Sequence, residues 1–259
     1  MVEAEMGLMH ITGERDGPPV KVGVAVTDLT TGLYTSNAIM ASLLARTRNG
    51  PSGQHLDIAL SDCQIATLSN LASSVLISGE RDSGRWGTAH PSIVPYRGFR
   101  TGDSSTLLLG GGNDRLFAVL CDRLGRPEWK VDPRFQTNAA RVANRDVLEA
   151  LMEAVTVTRS VGEWLQVLEG CGVPYAVVND VRDALDHEQV RARGMVVQVE
   201  HEECGVLELV GLPVKYSESV TGVRRAPPVL GQHTEDVLVG LLGMGVGEVE
   251  ALRGRGVVA

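Results

Sequence analysis

Between residues 29 and 48, apolar side chains recur at helical spacing: Leu29, Leu33, Met40 and Leu44, with Ile39 and Leu43 beside them. This pattern predicts a helix. Asn49-Gly50-Pro51 supplies its stop, a residue suited to the left-handed cap followed by proline. In front of the helix, Val22-Gly23-Val24-Ala25-Val26 is an apolar run that reads as a strand. Asp28 is therefore expected where a strand ends and a helix begins. A short strand is expected over residues 54–60, and Ser61-Asp62 then opens an Ala/Leu-rich helix to about residue 78, closed by Gly79. Both helices are apolar on more than one face, which predicts an interior position for each.

The character changes over residues 84–99. Arg85-Trp86-Gly87-Thr88-Ala89-His90-Pro91 and the residues after it are rich in glycine, proline and aromatics and show no helical period. A connection this long marks a domain boundary or part of a binding site. Beyond it, residues 96–99 and 106–109 read as a hairpin turned at Thr101-Gly102-Asp103, and Gly110-Gly111-Gly112-Asn113 leads into a helix over 114–124. Further helices are expected over 144–155 and 160–169, capped by Asn144 and Ser160. A strand follows at 173–178, then Asn179-Asp180 capping a short helix to residue 185, and a hairpin of 195–200 with 206–210 around Cys204-Gly205. Residues 213–225 read as irregular, residues 226–231 as a rigid connector, and the tail as two helices over 234–242 and 247–252. Alternating strands and helices of this kind define an α/β chain.

Charge and composition remove several function classes. The 24 Lys and Arg against 32 Asp and Glu give a net charge of −8, with no basic stripe, which argues against nucleic acid as a partner. No apolar run approaches the length of a membrane span. Cys63, Cys121, Cys171 and Cys204 lie far apart and form no CxxC pair, so neither a metal site nor a disulfide framework is expected, and reduced thiols in an intracellular, soluble protein are. The first nine residues lack the basic and apolar regions of a signal peptide and run directly into sequence of mid-domain character, which predicts a missing segment before Met1.

Few residues stand out chemically. Asp28 is a plain N-cap on position alone, although strand ends that meet helix starts are also where open α/β proteins bind ligands. Gly110-Gly111-Gly112 fits neither GxGxxG nor a Walker loop; it reads as a flexible turn or as a cradle whose amides could hold an anion or a thioester oxygen. His90 reads as an acid/base group or as a side chain pinning its loop. His55, His187, His201 and His233 have no serine or cysteine partner arrangement, and no GxSxG elbow occurs.

The combination of motifs is more specific than its parts. Gly7-Leu8-Met9-His10-Ile11-Thr12-Gly13, Asp16-Gly17-Pro18-Pro19, Val22-Gly23-Val24-Ala25, Thr27-Asp28-Leu29-Thr30-Thr31-Gly32-Leu33-Tyr34 and Gly53-Gln54 with Asp57 occur in order. Arg85-Trp86-Gly87-Thr88-Ala89-His90, Val94-Pro95-Tyr96, Gly172-Val173-Pro174-Tyr175 and Pro227-Pro228-Val229-Leu230-Gly231-Gln232-His233-Thr234 follow. The series resembles the class III coenzyme A transferases, which include formyl-CoA transferase and α-methylacyl-CoA racemase, and within them the succinyl-CoA:glutarate branch.

The resemblance implies the C-terminal portion of such an enzyme. Residues 1–84 would be a remnant of its Rossmann-like large domain carrying the catalytic aspartate. Residues 85–212 would be the smaller α+β domain with the glycine loop, and residues 213–259 the return to the large domain. It places the catalytic aspartate on Asp28 and makes Gly110, Gly111 and Gly112 candidates for the loop that covers the acyl intermediate, with Arg85 and His90 candidates to line the acyl or CoA site. It implies CoA transfer from an acyl-CoA such as succinyl-CoA to an acid such as glutarate, through aspartyl anhydride and aspartyl-CoA intermediates. CoA thioesters would be substrates, with no permanently bound cofactor and no metal. An interlocked homodimer in the cytoplasm, or in the mitochondrion of a eukaryote, would be the setting. The rival readings are α-methylacyl-CoA racemase chemistry and a non-catalytic remnant.

Overall fold

A computed structural model describes residues 1–50 and 52–259. Pro51, part of the expected helix stop, lies outside them. The chain divides into two compact units, Met1–Val178 and Asn179–Ala259. Residue 84, expected to end a domain, lies inside the first unit, because the chain on either side of it is bonded together: the Gly87 amide donates to the Gly13 carbonyl (2.9 Å) and the Arg85 side chain to the carbonyls of His10 and Gly17. Residue 212 lies inside the second unit.

The first unit opens with two single-turn helices, α1 (Val2–Glu5) and α2 (Leu8–Ile11), then the 24-residue α3 (Val26–Asn49), and the pair α4 (Leu60–Thr67) and α5 (Ser69–Ser78). The expected strands at 22–26 and 54–60 do not form. Extended runs become strands only when a neighbour completes their hydrogen-bond ladder, and among the described residues every strand of this unit lies between residues 96 and 177. Nor is α3 interior. Leu29 is 61%, Leu33 63%, Met40 59% and Leu44 55% exposed. Helical periodicity reports apolar surface available for burial; nothing among the described residues covers this stripe.

The core sits in the second half of the unit. Strands β1 (Tyr96–Arg100), β2 (Thr106–Gly110) and β3 (Tyr175–Val177) form an antiparallel sheet in that order. Phe99 pairs with Leu107, and these two with Leu109 are fully buried, so alternation along β2 sends its leucines at 107 and 109 to the core. Helices α6 (Asp114–Arg123), α7 (Asn138–Ala143), α8 (Arg145–Thr156) and α9 (Val161–Leu168) supply the other side of the core. Phe117, Leu120, Cys121 and Leu124 recur at helical spacing, as do Leu148, Met152 and Val155, and all are buried with Trp164 and Leu168. Burial pushes the Cys121 thiol up to about 12, so it packs as a small apolar group.

Helix starts follow the local rules unevenly. Ser160 is the cap expected of it, and it completes a capping box with Glu163. Asn144 does not cap α8; its Nδ2 instead donates to the Ala140 carbonyl at 2.9 Å, closing α7.

In the second unit, Asp180 caps α10 (Val181–Asp186), followed by α11 (Glu188–Ala192). Strands β4 (Val196–His201) and β5 (Gly205–Val210) make the expected hairpin, a two-stranded sheet of its own. The first tail helix is a short π-helical segment, Asp236–Leu241, and the second is α12 (Val246–Gly254). Among the described residues, no helix is long and apolar enough to cross a membrane, and no cluster of three His, Cys, Asp or Glu could hold a metal ion.

Candidate active site

Asp28 occupies the first turn of α3, two residues beyond its start, rather than the junction expected from sequence. Residues 22–25 approach as a bend in which the Val26 amide donates to the Val24 carbonyl at 2.8 Å. The first turn is anchored by Thr27, which is buried and donates its hydroxyl to Gln64 Oε1 of α4 at 2.6 Å. The Thr31 hydroxyl then bonds back to the Thr27 carbonyl at 2.7 Å. Asp28 points the other way. It is exposed, and among the described residues its carboxylate accepts no hydrogen bond and forms no ion pair. An N-cap aspartate spends its oxygens on helix amides; this one keeps them for other partners, at the positive end of a long helix dipole.

Arg85 is spent differently. Its Nε donates to the Gly17 carbonyl (3.1 Å) and a terminal nitrogen to the His10 carbonyl (2.9 Å), so it ties the start of the 85–91 loop to residues 10–17. The next residue, Trp86, has two guanidinium groups against its ring, Arg15 at 4.8 Å and Arg145 at 4.9 Å from the centroid. Such contacts stabilise by about 0.5–1 kcal/mol each at exposed sites.

His90 and the glycine triplet come together through Pro95 and Tyr96. The His90 amide donates to the Tyr96 carbonyl at 2.9 Å, and the two rings meet edge to face with centroids 5.8 Å apart. The Gly111 amide donates to the Pro95 carbonyl at 2.7 Å, and the Gly110 amide to the Pro174 carbonyl at 2.9 Å. A Cβ on Gly111 would lie 3.0 Å from Pro95 Cδ, and one on Gly110 would lie 3.1 Å from the Tyr96 ring. The first two glycines are therefore close-packing positions with committed amides. Gly112 is exposed with open space around it, and it alone of the three has an amide free for a ligand among the described residues.

Two residues absent from the sequence-based expectation hold this corner in place. Arg145 is buried and donates to the carbonyls of His90 (2.9 Å) and Pro91 (2.8 Å). Its counter-ion is Glu149, also buried, at 3.2 Å, and Glu149 is shared with Arg97 of β1 at 3.1 Å. Arg145 and Glu149 stand four apart on α8, which in sequence is the signature of an ordinary surface pair. A weak signal was available: both flank the buried stripe at Leu148 and Met152. The network borders a polar cavity of about 410 Å³ lined by Glu14, Trp86, Thr88, Arg97, Arg145 and Glu149, among others.

The first unit thus carries an unengaged carboxylate at a helix start and, on its 85–112 segment, a histidine and a glycine corner fixed by buried ionic contacts. Residues 1–234 match CoA-transferase family III, and the chain belongs to that family. Within it, the chain is 42% identical over 258 residues to the succinyl-CoA:glutarate CoA-transferase of Mus musculus, covering 100% of this chain and 58% of the mouse protein. It is 39% identical to the succinate–glutarate CoA-transferase of Agrobacterium fabrum, over 93% of this chain and 60% of that protein. Among solved structures, a CAIB/BAIF family protein from Brucella suis matches with a TM-score of 0.81 at 36% identity, over 93% of this chain and 62% of that one. The chain therefore spans somewhat more than half the length of these relatives.

Proposed function

We propose that the chain is the catalytic-aspartate portion of a CoA-transferase that moves CoA from succinyl-CoA to glutarate or a related dicarboxylate, with Asp28 as nucleophile. One observation carries this reading: Asp28 is an exposed carboxylate, anchored through its neighbour Thr27 and free of any partner of its own among the described residues. Identity to succinyl-CoA:glutarate enzymes supports the substrate class.

The chemistry follows from carboxylate nucleophilicity. An Asp28 oxygen attacks the thioester carbonyl of the donor, and CoA leaves as its thiolate, giving a mixed anhydride of Asp28 with the acyl group. The thiolate attacks the aspartyl carbonyl, releases the donor acid and leaves an aspartyl-CoA thioester. The acceptor carboxylate attacks that thioester, expels the thiolate again and forms a second anhydride. Attack of the thiolate on its acyl carbonyl delivers the new acyl-CoA and restores Asp28. No net proton is taken up, so no dedicated general base is required. Each tetrahedral intermediate carries an oxyanion, and the amides at the start of α3 are suitably charged to stabilise it.

In this reading the segment 85–112 borders the acyl group. His90 lines the site, Arg85 serves as the tie that holds the loop, and Gly112 is the member of the glycine triplet whose amide can face the ligand. Residues 1–84 belong to the large domain, and the exposed stripe on α3 supports a homodimer. A direct test is mass spectrometry of the protein after brief exposure to succinyl-CoA. The peptide containing Asp28 should gain CoA less one water, an adduct absent from Asp28→Ala. An unmodified Asp28 peptide, or the adduct on another residue, would overturn the assignment.

A further inference from the structure

Every polar group of His90 but one is already engaged. Its amide donates to the Tyr96 carbonyl, and its carbonyl accepts from Arg145 at 2.9 Å. Its Nδ1 accepts from the Ser92 backbone amide at 3.1 Å, with the Ser92 hydroxyl 3.4 Å away. A backbone amide can only donate, so Nδ1 carries the lone pair and the proton of the neutral ring sits on Nε2. Among the described residues Nε2 has no partner, and the ring is half-buried with Tyr96 against it.

We propose that His90 is a hydrogen-bond donor to an oxygen of the acyl substrate through Nε2–H, that Ser92 sets this tautomer, and that Arg145 is the residue positioning the ring. The proposal rests on the reading that the 85–91 loop borders the acyl site. A ring in this tautomer has no lone pair facing outward at Nε2, so it cannot abstract a substrate proton there. Its role is electrostatic, at a carboxylate or thioester carbonyl oxygen. Arg145 acts through His90. It clamps the carbonyls of His90 and Pro91, packs on Trp86, and is held by Glu149, which Arg97 ties to the sheet.

Two substitutions separate the readings. Glutamine at position 90 can place an N–H near the Nε2 position, whereas asparagine can keep the acceptor for the Ser92 amide but cannot reach the ligand. The donor role predicts that His90→Gln keeps kcat/KM within about tenfold of the parent, while His90→Asn loses about 10²-fold, the usual cost of one such donor. A loop-pinning role predicts the reverse order, and a proton-abstracting role predicts equal loss in both; either result overturns the proposal. For Arg145, the Arg145→Lys variant should lower kcat with little change in KM, and should lower it no further in a His90→Asn background. Additive losses would make Arg145 merely structural.

The ring can also be read without turnover. In the protein with 15N-labelled histidine, the His90 signals should report Nε2–H and an unprotonated Nδ1. Glutarate, which has carboxylates and no thioester, and acetyl-CoA, which has a thioester and no acyl carboxylate, should be added separately. A shift of the Nε2 signal with either one identifies the oxygen recognised. An Nδ1–H tautomer, or a ring unmoved by both ligands, overturns the proposal. If the chain transfers no CoA, the functional reading fails while this titration still decides the role of His90.

Discussion

At the scale of single residues, backbone geometry is as consequential as side-chain chemistry. Gly87 has φ of +60°, and a Cβ there would meet the Glu14 carboxylate at 2.7 Å. The two costs differ in kind: the carboxylate is the end of a flexible side chain and can swing away, while a left-handed backbone strains any other residue by about 1–3 kcal/mol. Gly87→Ala should therefore destabilise the protein by about that amount, measured as a fall in the urea midpoint at constant slope. Adding Glu14→Ala should recover only the smaller, steric part. Full recovery would mean that the backbone at residue 87 is unstrained. Asp28 illustrates how much of such detail is legible in a sequence. Its residue type and neighbours single it out only through the family resemblance; locally it is indistinguishable from a cap. That its oxygens are unengaged becomes apparent only once the bend at residues 22–25 replaces the expected strand. Arg145 is less legible still, because the carbonyls it binds lie 54 and 55 residues away, and no local pattern encodes such a contact.

At the scale of elements, the parts read correctly from sequence are those determined by short-range chemistry. The hairpin of β1 and β2 turns at Thr101-Gly102-Asp103, as its composition requires. Asp103 also reaches across to start α9, its Oδ2 accepting from the Val161 amide at 3.1 Å, while the Gly102 amide donates to the Arg159 carbonyl at 2.7 Å. The hydrogen bond from the Thr101 hydroxyl, aided by the amides of Val161 and Ser105, holds the Asp103 carboxyl below the usual range. Bonds from the Ser160 amide and hydroxyl do the same for Glu163. A carboxyl depressed in the folded state stabilises it above the unfolded value, and that stabilisation is lost as pH falls toward the folded value. Denaturation midpoints should therefore decline as pH drops below about 4, and the decline should be shallower in Asp103→Asn and Glu163→Gln. A decline of parental steepness in both would contradict this assignment. Removing the cap itself with Ser160→Ala should cost about 0.5–2 kcal/mol at neutral pH. By contrast, the strands expected at residues 22–26 and 54–60 depended on partners that the local sequence does not specify, and there the prediction from pattern failed.

At the scale of the molecule, the unevenly distributed core is the main feature. Nearly all buried large side chains belong to the sheet and helices between residues 94 and 173, while α3 presents its apolar stripe outward. Leu29, Leu33, Met40 and Leu44 fall at intervals of four, seven and four, one line along the helix about 22 Å long at 1.5 Å per residue. A continuous exposed apolar line of this kind marks an interaction surface, and the homodimer proposed above would bury it. Leu33→Glu with Met40→Glu should shift the protein from dimer to monomer in sedimentation at micromolar concentration, leaving the far-UV spectrum unchanged. An association state unaffected by both charges would remove α3 from the interface. Here the sequence correctly marked the apolar residues and their period but not their exposure, since burial depends on what packs against the stripe.

Asp28 is the residue on which the proposed transfer turns. The most direct measurement is the formation of glutaryl-CoA from succinyl-CoA and glutarate by the purified protein, followed by chromatography, with Asp28→Ala in parallel. Transfer through Asp28 predicts glutaryl-CoA in step with succinate release for the parent protein, none above background for Asp28→Ala, and no racemisation of a 2-methylacyl-CoA by either. Absence of transfer by the parent, or equal transfer by Asp28→Ala, would contradict it.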